Sequence, residues 1–301
     1  MKLVEMQTEP AKKILWKPIE LSDKAIFDAI GNNGNGIAMF GFSSLFLWKD
    51  YYRTTYAVVE GNIVAKGVSD SGKCVIYFPR GLSCNVRKTV ETVINDSDLP
   101  VRFLPVTESD AEVLANEFEG AEVKELEGKW EYVYLQSDLG ELSGKKYHSK
   151  RNHIAKFNKN YNSEYIAINK DNVHLLEECA HHLFSVIENS PQNEFVAIKN
   201  AIRHFDELCL RACVIKVGGE YVAYSIGSVL NNDTADIHFE KADRNYEGSY
   251  AFVNNSFAKY GFSDMKYLNR EEDLGIEGLR KAKLSYYPYK FNKTYEVKFM
   301  A

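Results

Sequence analysis

One order of predicted secondary-structure elements occurs twice in this chain, and it constrains the fold more than any single motif does. In each half, alternating apolar and polar residues predict three short strands joined by tight turns. The predicted strands are 54–60, 62–67 and 74–78 in the first half, and 211–217, 221–229 and 235–242 in the second. The turn near Gly61 corresponds to the turn at Gly218-Gly219. A duplicated antiparallel meander therefore predicts two related units within one chain.

A helix is predicted before each meander, and a helix, a strand, a helix and a last strand are predicted after it. The last strand is expected at 132–135 in the first half and at 295–299 in the second. This order resembles the GCN5-related N-acetyltransferase (GNAT) fold. The predicted fold class is α/β with mixed sheets, in two tandem GNAT-like (acyl-CoA N-acyltransferase) domains, 1–139 and 140–301. The boundary is placed in the Ser-, Asp- and Gly-containing stretch 137–144.

Composition narrows the function classes. A net charge of −5 argues against a protein that coats nucleic acid with its whole surface, although it permits a local basic site. No window approaches the apolar length of a membrane span, and residues 1–13 do not have the pattern of a signal peptide. Five cysteines without paired spacing indicate reduced thiols. We therefore expect a cytoplasmic protein.

One segment departs from the negative balance of the chain. It runs from Leu142 to Ser163 without an acidic residue, and it carries six basic side chains. These are Lys145, Lys146, Lys150, Arg151, Lys156 and Lys159. A helix here would leave them available for phosphates, so Lys145, Lys146, Lys150 and Arg151 are predicted to bind substrate, with tRNA as one candidate. The alternative is a solvated basic face that balances acidic neighbours.

The strand 235–242 carries an unusual number of polar residues. Strict alternation would place its apolar residues on one face and Asp236, His238 and Glu240 together on the other. A carboxylate or imidazole on this strand could take a proton from an attacking amine or hydroxyl, so Glu240 and His238 are candidate catalytic bases. The alternative is a structural role, in which these groups pair with Lys241, Arg244 or Arg270.

Three carboxylates and an arginine follow within five residues at 269–273. Such density could orient a cationic group, and it makes Asp273 a third candidate catalytic residue. Asn269, Arg270 and Lys281 are candidate substrate-binding residues. The alternative is an ion-pair network around the helix that begins after Gly278.

Three stretches of the second half together resemble the family of domains related to the C-terminal catalytic domain of phosphatidylglycerol lysyltransferases. They are 144–157, 238–243 with Gly248 and Tyr250, and 269–288. The resemblance implies tandem GNAT-like domains and transfer of an aminoacyl group from charged tRNA to a lipid head group. Fem-type enzymes, which are related, act on peptidoglycan precursors. We therefore expect an acyl- or aminoacyl-transferase acting on an amine or hydroxyl of a small molecule, a peptide or a lipid head group. The alternatives are a CoA-dependent N-acetyltransferase and a non-catalytic module that binds tRNA or another polyanion.

The loop 245–250 bears on the donor. Acetyl-CoA-dependent GNAT proteins hold the pyrophosphate with a loop of the form Gln/Arg-x-x-Gly-x-Gly/Ala. Here Gly248 keeps one glycine, but Asn245 and Tyr250 depart from the pattern, and Glu247 adds a negative charge. We expect acetyl-CoA to bind weakly and aminoacyl-tRNA to be the donor. The alternative is that Glu247 turns outward and the loop accepts CoA.

A metal-type spacing is present on the predicted helix 173–187. His174, Glu178 and His181 lie on one face of it, opposite the apolar face. A zinc site needs a more complete ligand set, so the sequence predicts no metal site.

Overall fold

The computed structural model divides the chain into two compact units, each built on one seven-stranded sheet. The residues that the structure describes are 13–30, 36–69, 71–81, 85–98, 100–187 and 191–300. The first unit contains Tyr52–Lys124, the described residues before this segment up to residue 30, and those from Tyr295 onward. The second unit contains 36–51 and Glu125–Thr294.

Helices occur where helical apolar spacing predicts them, and several shorter ones are added. They are α1 (Lys24–Ile30), α2 (Phe42–Leu47), α3 (Lys49–Tyr52), α4 (Val86–Asp96), α5 (Glu108–Glu117), α6 (Gln136–Glu141), α7 (His148–Asn160), α8 (Val173–Val186), α9 (Gln192–Arg203), α10 (Ser249–Ser256) and α11 (Glu277–Leu284). A π-helical turn, Phe257–Gly261, continues α10. Among the helices in the described ranges, none has both the length and the apolar composition needed to cross a membrane.

The strands include the six predicted for the two meanders. They are β1 (Lys17–Pro18), β2 (Thr55–Val59), β3 (Asn62–Val68), β4 (Cys74–Gly81), β5 (Val101–Val106), β6 (Ala121–Glu125), β7 (Glu131–Leu135), β8 (Ser163–Ile168), β9 (Arg211–Val217), β10 (Glu220–Val229), β11 (Thr234–Ala242), β12 (Tyr267–Asn269), β13 (Lys290–Asn292) and β14 (Tyr295–Phe299). Cys74, Cys179, Cys209 and Cys213 are free thiols. Cys84 and residues 1–12 lie outside the described residues.

The first sheet has the strand order β1-β2-β3-β4-β5-β14-β6. Strands β2 to β4 form the antiparallel meander, β5 runs parallel to β4, and β14 runs antiparallel to β5. Buried aromatic rings pack across its centre, with Phe103 edge-on to both Phe78 and Phe299.

The second sheet repeats this plan in the order β13-β7-β12-β11-β10-β9-β8. Its meander is β9 to β11, and β12 runs parallel to β11. That parallel pairing covers only Thr234–Asp236 against Tyr267–Asn269, after which the two strands separate. Helices α6, α7 and α10 share one apolar core, whose fully buried side chains include Tyr134, Phe157 and Phe257. The separation of two central parallel strands is the feature that defines the cleft of a GNAT-like sheet.

The strands that complete the two sheets are exchanged relative to the sequence-based expectation. Strand β14 lies in the first sheet next to β5, and β7 lies in the second sheet next to β12. The compact units therefore differ from the contiguous domains 1–139 and 140–301. Both strands are buried on both faces. Such a pattern predicts a central strand but does not specify which sheet it joins, because the pairing is a long-range contact.

Candidate functional site

A β-bulge at His238 interrupts the alternation of strand β11. Ile226 pairs with Phe239 and Gly227 pairs with Ile237, so the described ladder leaves His238 as an extra residue between them. An extra residue in one strand reverses the facing of every side chain that follows it.

The bulge separates the polar residues that the sequence places together. Before it, Asp236 accepts a hydrogen bond from Ser44 of α2 at 3.1 Å. After it, Glu240 accepts one from Asn254 of α10 at 3.0 Å. The prediction that Asp236, His238 and Glu240 share one face is therefore wrong, because it assumed an uninterrupted strand.

Glu240 and Arg270 form an ion pair where β11 and β12 have separated. Arg270 Nη2 donates to Glu240 Oε1 at 2.7 Å, and each side chain keeps about a tenth of its surface exposed. Asn254 donates to the other carboxylate oxygen. Arg270 Nη1 is buried and has no hydrogen-bond partner in the described part of the chain. This group, Glu240, Arg270 and Asn254, is called the splay site below.

Lys150 joins the splay site from α7. Its Nζ donates to Ser285 Oγ at 2.6 Å and lies 3.8 Å from the centre of the Tyr286 ring. The guanidinium of Arg270 lies 5.1 Å from the same ring. Burial, together with the positive charge of Arg270, lowers the pKa of Lys150 to about 8. Lys150 therefore remains mostly protonated at neutral pH but gives up its proton more readily than an exposed lysine.

A second group, the histidine cluster, consists of Asp236, His238 and Glu271. His238 Nδ1 lies 3.1 Å from Asp236 Oδ2 and 3.6 Å from Glu271 Oε1. On the other side of the ring, Nε2 lies 2.8 Å from Ser228 Oγ of β10. The side chains of His238 and Asp236 are fully buried, whereas a quarter of the Glu271 side chain is exposed.

The electrostatics of this cluster argue against His238 as a base. Burial alone would lower its pKa, but the charges of Asp236 and Glu271 outweigh burial and raise that pKa to about 10. Burial and the charge of Asp236 also raise the pKa of Glu271. In space, the Ser228 hydroxyl, the His238 ring and the Asp236 carboxylate lie next to one another in the order of a nucleophilic triad. However, Ser228 is only 2% exposed, so its hydroxyl cannot meet an acyl donor.

Asn269 connects the histidine cluster to a buried carboxylate, Glu131 of β7. Its Nδ2 donates to Glu131 Oε2 at 2.6 Å, and its Oδ1 accepts from the backbone N–H of Glu271 at 2.9 Å. Asn292 also donates to Glu131, at 3.1 Å. Burial raises the pKa of Glu131 to about 7, with a further contribution from the charge of Asp236. Asn269 is fully buried and acts as a positioning residue rather than as the substrate contact the sequence suggested.

The loop after β12 is strained and braced. Glu271 and Leu274 have φ values of 53° and 56°, in the left-handed region that non-glycine residues rarely adopt. The ammonium group of buried Lys283 donates to the carbonyl oxygens of Arg270, Glu271 and Glu272. Three bonds from one cation thus fix the backbone that carries both Arg270 and Glu271.

Asp273, a candidate catalytic residue from the sequence, lies in a structural network. It accepts hydrogen bonds from Tyr132 at 2.6 Å, from Arg280 Nε at 2.7 Å and from the backbone of Gly275 at 2.7 Å. Burial alone would raise its pKa, but these donors outweigh burial and lower it. A fully buried carboxylate with this many donors braces α11, and this is the ion-pair alternative considered above. Lys281 is exposed on α11.

The basic segment forms α7 and the turn before it, and most of its cations have acceptors. Lys146 pairs with Asp138 at 3.1 Å. Arg151 donates to the carbonyl oxygens of Leu142 and Gly144 at 2.5 and 2.7 Å. Lys145 is exposed. Of the four residues predicted to bind substrate here, Lys150 joins the splay site, and the other three lie on or near the surface.

Position 248 requires a glycine because of its backbone conformation and because of a close neighbour. It has a φ of 91°, and a Cβ atom built on it would lie 2.4 Å from the carbonyl oxygen of His153 in α7. Glu247 pairs with Lys156 at 3.0 Å, and both are more than half exposed. The carboxylate therefore turns outward, as the alternative for this loop expects, and the backbone of α7 lies where a Cβ atom of residue 248 would stand.

These features define the class: a mixed α/β protein of two tandem GNAT-like units, with ionisable groups at the strand separation of the second. Residues 37–298 match the family described as phosphatidylglycerol lysyltransferase, C-terminal. The chain belongs to this family.

Three solved structures are similar to this chain. A conserved protein of unknown function from Bacteroides thetaiotaomicron is 32% identical, with a TM-score of 0.85 over 95% of this chain and 99% of that one. L-PGS from Bacillus licheniformis is 12% identical, with a TM-score of 0.67 over 97% and 94%. FemX is 8% identical, with a TM-score of 0.59 over 96% and 98%. The last two similarities support the fold.

Sequence reasoning missed Glu131 and Ser228 as members of a buried polar network, whereas Glu271 belongs to the carboxylate group that the sequence singled out at 269–273. A glutamate that opens the run Tyr-Val-Tyr-Leu of a central strand was the available signal. No signal in the sequence pointed to Ser228, because its contact with His238 depends on the bulge.

Proposed function

We propose that this protein is an acyl- or aminoacyl-transferase whose reaction takes place at the splay site. The single observation that carries the proposal is the Glu240–Arg270 ion pair, positioned where β11 and β12 separate, with Arg270 Nη1 still able to donate. A buried arginine with an unused donor is suited to bind a carbonyl, carboxylate or phosphate oxygen.

Each group of the splay site is assigned a part in the transfer. An amine or hydroxyl of the acceptor attacks the ester carbonyl of the donor, and the Glu240 carboxylate takes the proton that the nucleophile loses. Arg270 Nη1 donates to the carbonyl oxygen as negative charge develops there. Lys150 returns a proton to the leaving oxygen, consistent with its pKa of about 8. His238 has no part in this proton transfer because it is buried and protonated.

Charged tRNA is the proposed donor, and a lipid head group is the first acceptor to test. Membership of the lysyltransferase family supports both. The loop 245–250 argues against acetyl-CoA, because Asn245 and Tyr250 depart from the pattern that holds a pyrophosphate. The internal pairing of Lys146 and Arg151 argues against a module that only binds polyanions.

The test is a transfer assay with radiolabelled aminoacyl-tRNA. The purified protein is incubated with lysyl-tRNA or alanyl-tRNA and with vesicles containing phosphatidylglycerol, and separately with peptide acceptors and with acetyl-CoA. Label in lipid or peptide supports the proposal. Turnover with acetyl-CoA alone would reassign the protein as an N-acetyltransferase, and tight tRNA binding without transfer to any acceptor would reassign it as a binding module.

A further inference from the structure

The histidine cluster concentrates negative charge in a buried place. One imidazole and two carboxylates, from Asp236, His238 and Glu271, bring their ligand atoms within 4.8 Å of one another. Two more carboxylates, Glu131 from β7 and Glu272 from the loop after β12, add to the negative charge around them. Glu272 is paired with Lys129 at 2.9 Å, and the ammonium group of Lys283 lies against the backbone of Glu271 and Glu272.

Two atoms of the cluster have no hydrogen-bond partner. His238 Nδ1 and Asp236 Oδ1 are both buried, and neither has an acceptor or donor in acceptable geometry within the described residues. Buried polar atoms are almost always satisfied, so an unsatisfied pair beside a carboxylate indicates a missing ligand. Glu271, the third group, has a φ of 53°, and its backbone is held by hydrogen bonds from Lys283 and Tyr132 and to Asn269.

We propose that Asp236, His238 and Glu271 bind one divalent transition-metal ion. The ligand set of one imidazole nitrogen and two carboxylate oxygens suits Zn²⁺, Mn²⁺, Fe²⁺ or Co²⁺ better than Mg²⁺ or Ca²⁺, which prefer oxygen alone. Metal–ligand bonds of about 2.0 to 2.2 Å place neighbouring ligand atoms about 3 Å apart. The observed separations from His238 Nδ1, 3.1 Å to Asp236 and 3.6 Å to Glu271, need little adjustment.

The surroundings of the cluster fit a metal ligand sphere. With Nδ1 bound to the ion, the ring carries its proton on Nε2 and donates it to Ser228 Oγ at 2.8 Å. Ser44 donates to the Asp236 carboxylate. Metal-binding histidines and carboxylates are usually oriented by such outer hydrogen bonds. The partly exposed Glu271 side chain gives the ion a route from solvent and leaves room for water ligands.

The alternative to a metal ion is a proton on His238 Nδ1, which would lie between the carboxylates of Asp236 and Glu271. An ion must displace that proton, so its affinity should rise with pH. The two occupants are distinguished by direct binding measurements that do not involve enzyme activity, so the result is independent of the proposed transferase function.

The experiment titrates chelator-treated full-length protein with Co²⁺, followed by its absorption spectrum and by calorimetry, and then displaces Co²⁺ with Zn²⁺. We expect one equivalent to bind, with d–d bands that report nitrogen and oxygen ligands, and the Tm to rise with metal concentration. Glu271→Gln and His238→Gln should each weaken binding at least 10-fold. His174→Gln, which changes an exposed histidine on α8, is the matched control and should leave binding unchanged.

Glu271→Gln carries the test if His238→Gln fails to fold, because its side chain is partly exposed and its removal leaves the fully buried His238–Asp236 pair intact. No saturable Co²⁺ binding at millimolar concentration would overturn the proposal. So would binding that survives Glu271→Gln, or binding that is lost in His174→Gln.

Discussion

Arg270 Nη2 donates to Glu240 Oε1 at 2.7 Å, across the gap that opens where β11 and β12 stop pairing. The contact exists because the bulge at His238 turns Glu240 to the face of α10. It also depends on Lys283, which fixes the backbone of Arg270 through its carbonyl oxygen. The geometry of the splay site is thus set by a strand irregularity and a buried lysine that do not themselves touch the substrate.

Replacing Glu240 by glutamine should remove the proton acceptor while keeping the size of the side chain. We expect kcat for transfer to fall by about 10²- to 10⁴-fold, the usual contribution of a general base. Steady-state kinetics on the folded fraction, checked by circular dichroism, measure this. Glu247→Gln is the control, since that exposed carboxylate pairs with Lys156 on the surface, and the activity of this variant should match the wild type. Undiminished turnover in Glu240→Gln would assign the base elsewhere.

Gly248→Ala and Gly219→Ala form a matched pair for stability. Both glycines have positive φ, 91° and 92°, so each substitution should cost about 1 kcal/mol from backbone strain. Of the two, only Gly248 would place the new Cβ against the carbonyl oxygen of His153, whereas at Gly219 nothing lies within 4 Å. The clash should add about 1 to 3 kcal/mol. Urea unfolding measures both, and equal losses would show that α7 moves aside.

The exposed part of the basic segment can be tested by salt dependence. Replacing Lys145 and Lys159 by alanine should weaken tRNA binding and reduce the slope of log K against log salt by about 1 to 2, because each phosphate contact releases counterions. Lys170→Ala with Lys199→Ala makes the same charge change at exposed positions on other elements and should alter the slope less. Equal slopes in wild type and both double variants would remove α7 from the tRNA interface.

Arg151 should behave differently from these lysines. Its guanidinium closes the turn before α7 by donating to the carbonyl oxygens of Leu142 and Gly144, and Leu142 itself has a φ of 52°. Arg151→Ala should therefore lower the free energy of unfolding by about 1 to 3 kcal/mol, since two carbonyls lose a charged donor. Thermal unfolding without any ligand measures this, and an unchanged Tm would mean that the turn holds without the arginine.

The elements of the fold were largely predictable from sequence, because alternation and helical spacing are local properties. The meanders, α8 and the mixed α/β plan followed from residues such as Gly218 and Leu176, whose patterns act within a few positions. The exchange of β7 and β14 did not follow, because both strands are mostly buried and their sheet membership depends on residues far along the chain.

The candidate site was predictable only in part. Glu240, Arg270 and Lys150 come together at the splay site, and the Glu240–Arg270 pair is one of the pairings that the sequence offered as a structural alternative. The bulge at His238 was not readable, since one extra residue in a strand leaves its composition unchanged. The structural network of Asp273 was not readable either, because a dense group of carboxylates serves a ligand or a helix equally well until Tyr132 and Arg280 are seen to satisfy it.

Glu131 should impose a measurable pH dependence on stability. Its pKa is about 7 in the folded chain against an ordinary value of 4.5, so the folded state binds the proton more tightly than the unfolded state does. The stability linked to this proton is fully present below pH 4.5 and is lost as the pH rises through 7. A shift of this size corresponds to about 3 kcal/mol.

Glu131→Gln cannot titrate, so the difference in unfolding free energy between wild type and variant should change by about that amount between pH 4.5 and 8. Urea unfolding at several pH values measures the difference. A constant difference across this range would mean that Glu131 stays ionised in the folded chain, held by Asn269 and Asn292.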